Sequence, residues 1–326
     1  MSAGLAEPGN WSFISRNGAF GRPLYPWGPG ATYRTRFDEA GLPTGKRVDL
    51  YSSIYDSQVG SVSHLVRGRA AVLMAGPPGA GKSSSRHELT RRLGWRAGTF
   101  YVIDPDEIKK DLLKADLAAG TFGSFVPSSI QREIDAGTTI TPMELVGLWH
   151  EESVRLSNLI VQRALHEGLN IIIDGTLANA DRARELFAWL QKNAYADITI
   201  ADVEASRADS LRGVRDRYRK EMKEPLGGRV VPDSTIRHHF SGPGGMSLSL
   251  LNSDALYRDR GNKVRLIAFR RGDKPNAPRV VFDTSSRSRG DTYVPAAPSG
   301  SEVWVSSHWR NGTFVQEHWR SRPARS

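Results

Sequence analysis

Residues Gly76-Pro77-Pro78-Gly79-Ala80-Gly81-Lys82-Ser83 fit the pattern G-x-x-x-x-G-K-[ST] without a mismatch. An apolar run, Ala71 to Ala75, precedes them, and a helical pattern from Lys82 to Leu93 follows. Such a segment closes only as strand, loop and helix, because its glycines let successive N–H groups turn inward while the helix N-terminus adds partial positive charge. Gly76, Gly79, Ala80, Gly81, Lys82, Ser83 and Ser84 are therefore the candidate phosphate-binding residues, with ATP as the implied ligand. Lys82 is placed to reach the β and γ phosphates, and Ser83 to set its hydroxyl on Mg²⁺.

A phosphate loop of this kind needs a parallel sheet around it, and the chain supplies the alternation. Short β-branched runs at Phe100 to Ile103, Asn170 to Ile173, Ile198 to Val203 and Val264 to Phe269 alternate with helical patterns at Asp106 to Leu117, Glu144 to His166, Asp181 to Asn193 and Ser206 to Glu224. Gly168 stands where a helix C-terminal cap is expected. The predicted fold class is α/β, a P-loop NTPase with a doubly wound parallel sheet flanked by helices, over residues 70–270.

Residues 1–69 read as a Pro/Gly-rich N-terminal extension, extended and loop-rich, with a helix from about Asp49 to Leu65. Residues 271–326 read as a basic linker and an aromatic hairpin. There Asn311-Gly312, the favoured type I′ pair, sets Trp309 opposite Phe314 and Trp304 opposite Trp319.

The 326 residues contain no cysteine, which excludes disulfides, thiolate metal sites and cysteine nucleophiles. No apolar run reaches the roughly 20 residues of a bilayer span, and the N-terminus lacks a leader pattern, so a cytoplasmic, non-membrane protein is expected. The formal charge of +10 suits an anionic partner of any kind, nucleic acid included, and so ranks behind the motif as a guide.

Three further stretches carry chemistry. Asp174, at the end of the strand Asn170 to Ile173, is placed to steady the Mg²⁺ shell. The next strand end, Asp104-Pro105-Asp106, offers a carboxylate to take the proton of an attacking hydroxyl, although either Asp equally suits a helix N-cap. From Arg212 to Lys220 a run of basic residues precedes Pro225-Leu226-Gly227-Gly228-Arg229, which reads as an arginine-bearing lid on a Gly-Gly hinge.

Taken together these motifs resemble the zeta-toxin family of P-loop kinases, which phosphorylate UDP-N-acetylglucosamine and related UDP-sugars and belong to toxin–antitoxin systems. The likeness covers about Ala70 to Phe269. It implies that Asp106, the second Asp of Ile103-Asp104-Pro105-Asp106, is the general base. In Asp174-Gly175-Thr176 it turns Thr176 toward the substrate, and it makes Arg229 the second lid arginine. The first falls on Arg217 or Arg215, one residue either side of the family spacing, with Arg217 preferred. Asp104, Glu152 and Asn158 are the further positions it sets toward the substrate; Asn158 stands where some members have Glu. The expected function is ATP- and Mg²⁺-dependent phosphorylation of a UDP-sugar by a toxin with a possible antitoxin partner. A P-loop kinase acting on a polynucleotide, a tRNA or an NAD-like dinucleotide is the alternative, and a non-catalytic binding module a third reading.

Overall fold

A computed structural model describes residues 30–45, 47–260, 264–270 and 279–284, together with four short strands of the tail. Its strands and helices alternate along the chain: β1 (Ala70–Ala75), α2 (Lys82–Arg92), β2 (Tyr101–Ile103), α3 (Pro105–Ala118), α5 (His150–His166), β3 (Ile171–Ile173), α6 (Ala180–Lys192), β4 (Asp197–Glu204), α7 (Arg207–Glu221) and β5 (Arg265–Arg270). Helix α1 (Arg47–Gly60) precedes them, and α4 (Ser128–Asp135), α8 (Asp233–His239) and α9 (Leu248–Arg260) lie between. The α/β P-loop class expected from the sequence is the one observed.

The chain divides into two compact units that interleave in sequence. One comprises Met1–Ala70, Ala97–Asp174 and Val214–Asp233; the other comprises Ala71–Arg96, Gly175–Gly213 and Ser234–Ser326. In the first, β2 and β3 pair in parallel with Ile103 opposite Ile173. In the second the neighbour order is β1-β4-β5-β6. There β4 and β5 run parallel, and the edge strand β6 (Arg279–Asp283) pairs antiparallel with β5 through a register shift at Ala268/Phe269. All six residues of β1 are buried, as a strand covered on both faces requires.

Two readings change. The helix expected from Glu144 begins instead as a tight 3₁₀ segment, Pro142–Trp149, opened by a capping box. The Glu144 carboxylate accepts from the Thr141 N–H at 2.7 Å and from the Tyr218 hydroxyl at 2.9 Å. The N-terminal extension is also less loop-like than its composition implies, since the described residues from Gly30 to Gly60 pack into the first unit. Thr32, fully buried, donates its N–H to the Leu148 carbonyl at 3.1 Å. Tyr51, Ile54 and Tyr55 are buried along α1.

The polar centre of that packing is Arg47. Its Nη2 donates to Asp116 at 2.7 Å and its Nε to Glu152 at 2.9 Å. The Asp116 carboxylate also accepts from the buried Trp149 Nε1 at 2.7 Å, and Glu152 from the Tyr51 hydroxyl at 2.9 Å. Asp116 sits lower than an ordinary carboxyl: burial pushes it up, but the Trp149 hydrogen bond and the Arg47 and Arg36 charges outweigh that.

In the tail the backbone registers match the expectation, with Trp309 opposite Phe314 and Trp304 opposite Trp319. The Asn311-Gly312 turn lies outside the described residues.

Removing one partner of a buried ion pair leaves an unneutralised interior charge, which costs about 3 kcal/mol or more. Glu152→Ala should therefore lower the melting temperature by several degrees in thermal unfolding, with Glu152→Gln falling between it and the wild type.

Candidate active site

In the second unit, β1 delivers the chain into the phosphate loop through Gly76, whose φ is +135°. A Cβ there would lie 2.3 Å from the Val203 carbonyl oxygen on β4, so only glycine allows β4 to approach. Gly79 and Gly81 also hold positive φ, and Gly81 opens α2. The loop is held from two sides. Gly76 N–H donates to the Thr176 carbonyl at 3.3 Å, and the fully buried Ser210 of α7 gives its hydroxyl to the Pro78 carbonyl.

Lys82 Nζ donates to the Gly76 carbonyl at 3.1 Å, which lays the ammonium over the loop. Ser83 is exposed at the first turn of α2 and Ser84 is half-buried there; Ala80 is buried in the loop itself. Thr176 is half-buried, and its hydroxyl accepts from the Ala178 N–H at 3.3 Å.

In the first unit the ends of β2 and β3 lie side by side. Asp174 N–H donates to the Ile103 carbonyl at 2.9 Å, and the Asp174 residue is buried. Asp104 is the N-cap of α3: its side chain accepts from the Asp106 N–H at 2.9 Å, with Pro105 at the first helical position. The two Asp residues are thereby separated in role. Asp104 caps the helix and stands within electrostatic reach of Lys109, Arg217 and Arg229, while Asp106 pairs directly with Lys109 and Arg229.

Asp106 accepts from Lys109 Nζ at 3.2 Å and pairs with the Arg229 guanidinium. Burial pushes the Asp106 carboxyl up, but the Lys109 and Arg229 charges prevail and hold it well below the usual carboxylate range. Burial lowers Lys109 in turn. Arg217 faces the same cluster, with Nε and Nη2 making no hydrogen bond and Nε 3.9 Å from Glu221. Burial and the neighbouring Arg229 charge lower it against the pull of Asp106. Arg215, by contrast, is exposed on α7. His150, exposed at the start of α5, stands within electrostatic reach of Asp106, Lys109 and Arg229.

The Gly-Gly pair before Arg229 is not a loose hinge in this arrangement. A Cβ on Gly227, whose φ is +81°, would fall 2.2 Å from Thr141 Oγ1, and one on Gly228 would fall 2.6 Å from the Tyr218 carbonyl. Both glycines are buried, and the Leu226 carbonyl accepts from the Met143 N–H at 3.0 Å. Close packing, not mobility, is why glycine stands there. It delivers Arg229 to Asp106, and the Arg229 N–H is held by Glu221 Oε2 at 3.1 Å.

Glu152 does not join this cluster. It is wholly buried and its bonded partners are Arg47 and Tyr51, so its carboxylate serves the packing of α1 rather than facing a substrate. Asn158 is half-buried on α5. Sequence reasoning missed Lys109, although an Asp three residues earlier on a helix is a visible pairing signal. It also missed two buried acids on β4, Asp202 and Glu204, which the strand pattern disguised.

Two measurements follow. Carboxyl NMR titration should place Asp106 well below an ordinary Asp, and Lys109→Met should move it upward. The depressed acid contributes stability above its unfolded value near 3.9 that fades as pH falls through the folded one, so the variant should lose stability at neutral pH and less in acid. Gly227→Ala should destabilise by about 1–3 kcal/mol through the Thr141 clash and the positive φ, read as a fall in denaturation midpoint.

One curated relative, 2-phosphoglycerate kinase of Pyrococcus horikoshii, is 31% identical over 107 residues, 32% of this chain. The chain spans about a third, 34%, of that relative's length. Among solved structures, the PezAT chromosomal toxin–antitoxin system of Streptococcus pneumoniae aligns at a TM-score of 0.47 and 16% identity, over 73% of this chain and 81% of that one. The complex AvrRxo1-ORF1:AvrRxo1-ORF2 with sulphate ions aligns at 0.48 and 13% identity, over 80% of this chain and 76% of that one. The Zeta toxin family model matches residues 60–114 and 133–268, taking in the phosphate loop, the Asp104–Asp106 turn, Asp174 and the Arg217–Arg229 segment. With that match over more than half of its length, the chain belongs to the zeta toxin family of P-loop kinases.

Proposed function

We propose that the protein transfers the γ-phosphate of ATP to a hydroxyl of a UDP-sugar such as UDP-N-acetylglucosamine, and that it works as a toxin restrained by an antitoxin protein. The observation that carries this reading is Asp106, an ionised carboxylate held by Lys109 and Arg229 with Arg217 beside it. A carboxylate held among cations is the apparatus of phosphoryl transfer: an acceptor for a hydroxyl proton, and positive charge for the oxygens of the moving group. Lys82 and the N–H groups of Gly79 to Ser83 take the nucleotide phosphates.

Asp106 is a weak base, and a loose transition state asks little more of it. The hydroxyl is oriented by the carboxylate and gives up its proton as the phosphoryl group arrives. In the resting pair Arg229 neutralises Asp106; in the reaction Arg229 and Arg217 supply the charge that the phosphoryl oxygens need.

Among the described residues no group of three His, Asp or Glu side chains gathers to hold a metal ion. That fits Mg²⁺ bound chiefly through nucleotide phosphates, which keeps most of its own water. The exposed Ser83 hydroxyl and the Asp174 carboxylate are the groups suited to it, and the ion would supply charge neutralisation. Thr176 is the substrate-side hydroxyl of the family pattern.

A second reading rests on the same excess of cations and on the curated relative's name. The acceptor would then be a small phosphorylated acid such as 2-phosphoglycerate. A nucleic-acid end or NAD-like dinucleotide would draw on the basic charge instead. No helix among the described residues is long and apolar enough to cross a membrane. We place its action in the cytoplasm.

The pure protein should consume ATP when UDP-N-acetylglucosamine is added, and not with 2-phosphoglycerate, NAD or 5′-OH oligonucleotides in a parallel panel. Lys82→Ala should lower turnover at least a hundredfold, while Asp106→Asn should lower kcat by about 10²–10⁴ with ATP affinity little changed. Transfer to one of the other acceptors alone would replace the UDP-sugar assignment.

A further inference from the structure

The C-terminal end of α7 breaks a local rule. A helix C-terminus carries partial negative charge and favours cations, as Arg219 and Lys220 illustrate, yet the last residue of α7 is Glu221. Its two oxygens account for the exception. Oε2 accepts the Arg229 N–H at 3.1 Å, and Oε1 lies 3.9 Å from Nε of Arg217, one helical turn back. A single carboxylate thus meets both of the arginines that phosphoryl transfer calls on.

The chain between the two arginines folds back on itself. The Glu221 carbonyl accepts from the Glu224 N–H at 2.9 Å, and the Glu224 carbonyl from the Gly227 N–H at 3.0 Å. Gly228 N–H donates to Met222 Sδ at 3.2 Å. These turns return the backbone to the end of α7, where the bond between the Glu221 carboxylate and the Arg229 N–H closes the neck of the loop. Because that bond is made to the main chain, the Arg229 guanidinium is left to reach Asp106. Arg217 Nε and Nη2 and Arg229 Nε, all buried, make no hydrogen bond among the described residues. Such donors are spare for the oxygens of a phosphoryl group.

We propose that Glu221 is a positioning residue for phosphoryl transfer: by bonding the Arg229 main chain and pairing with Arg217, it holds the two guanidinium groups at the separation that the moving phosphoryl group requires. The inference rests on the roles given to Arg217 and Arg229 in the proposed reaction. As an ion pair alone Glu221 would matter little, since its side chain is 21% exposed and that of Arg217 34%, and pairs so open to solvent are weak. The bond to Arg229 is of another kind: charge-assisted, directed at the backbone, and made at the residue where the arginine side chain begins. The carboxylate also sits between like charges. Burial and the Arg229 charge lower Arg217, and Glu221 is among the acids that oppose them.

The test compares wild type, Glu221→Gln and Glu221→Ala as full chains in two measurements. The first needs no substrate: it is hydrogen exchange at the Arg229 N–H. Gln keeps an oxygen acceptor, so Glu221→Gln should stay within about threefold of wild-type protection, while Glu221→Ala should exchange roughly tenfold faster or more. The second is ATP consumption with UDP-N-acetylglucosamine, or with whichever acceptor of the panel the wild type uses. Glu221→Ala should lower kcat roughly 10- to 100-fold, the scale of a displaced catalytic group, and leave KM for ATP within about twofold. Glu221→Gln should recover kcat to within about fivefold of wild type, a rescue that loss of fold stability alone would not produce. If Glu221→Ala fails to fold, Glu221→Leu, which keeps the bulk and removes the acceptor, takes its place. Unchanged protection at Arg229 in the Ala or Leu variant would overturn the proposal, as would an unchanged kcat there or an equal loss of kcat in Glu221→Gln. A wild type that consumes ATP with no acceptor gives a different result: it overturns the phosphoryl-transfer reading, and with it the reaction that Glu221 serves, whatever the exchange rates.

Discussion

The backbone contact between Gly76 and Val203 is the constraint on which the nucleotide half of the molecule depends. With no Cβ at residue 76, β4 can press against the start of the loop, and the Gly76 N–H and carbonyl are free for Thr176 and Lys82. Any side chain would part the strand from the loop and turn the N–H groups away from a common centre. The same approach carries Asp202 and Glu204 inward, since they are the residues on either side of the contact. Tight packing at the loop and the burial of two acids behind it are therefore one arrangement.

In the other unit, order flows from a cap. Asp104 ends β2 and caps α3, so Asp106 falls in the first turn and Lys109 one turn on. The Thr141–Glu144–Tyr218 hydrogen bonds fix α7 to the 3₁₀ segment, and Gly227 and Gly228 fit against the same residues. Arg229 reaches Asp106 from the end of that chain of contacts. Each link is short-range, buried and specific about side-chain size. Any displacement of the segment requires those contacts to be exchanged for others.

What could be read in advance divides along physical lines. The phosphate loop, the strands that follow it and the Asp-Pro-Asp turn were legible because local backbone geometry dictates residue type there. The tail register was legible from Asn311-Gly312 for the same reason. Glu152 was misplaced because a carboxylate on a helix gives no sign of which neighbour it meets, and its partner Arg47 lies 105 residues away. Gly227 and Gly228 looked like a hinge because sequence cannot distinguish a glycine kept for freedom from one kept for lack of volume. Asp202 was invisible within an apolar strand, where a single acid breaks the pattern without explaining itself. In each miss, the deciding information was a tertiary contact.

The burial of α1 has a consequence for how the molecule comes into being. Arg47, Tyr51, Ile54 and Tyr55 emerge from the ribosome early, yet the residues that neutralise and cover them, Asp116 and Glu152 among them, are made about 70 to 105 residues later. At translation rates of about 5–20 residues per second, the segment waits on the order of 5–20 seconds with its apolar stripe and its arginine uncommitted. The nascent polypeptide thus gains the native partners of Arg47 only once α5 has been synthesised, and the first unit is complete only with Val214–Asp233.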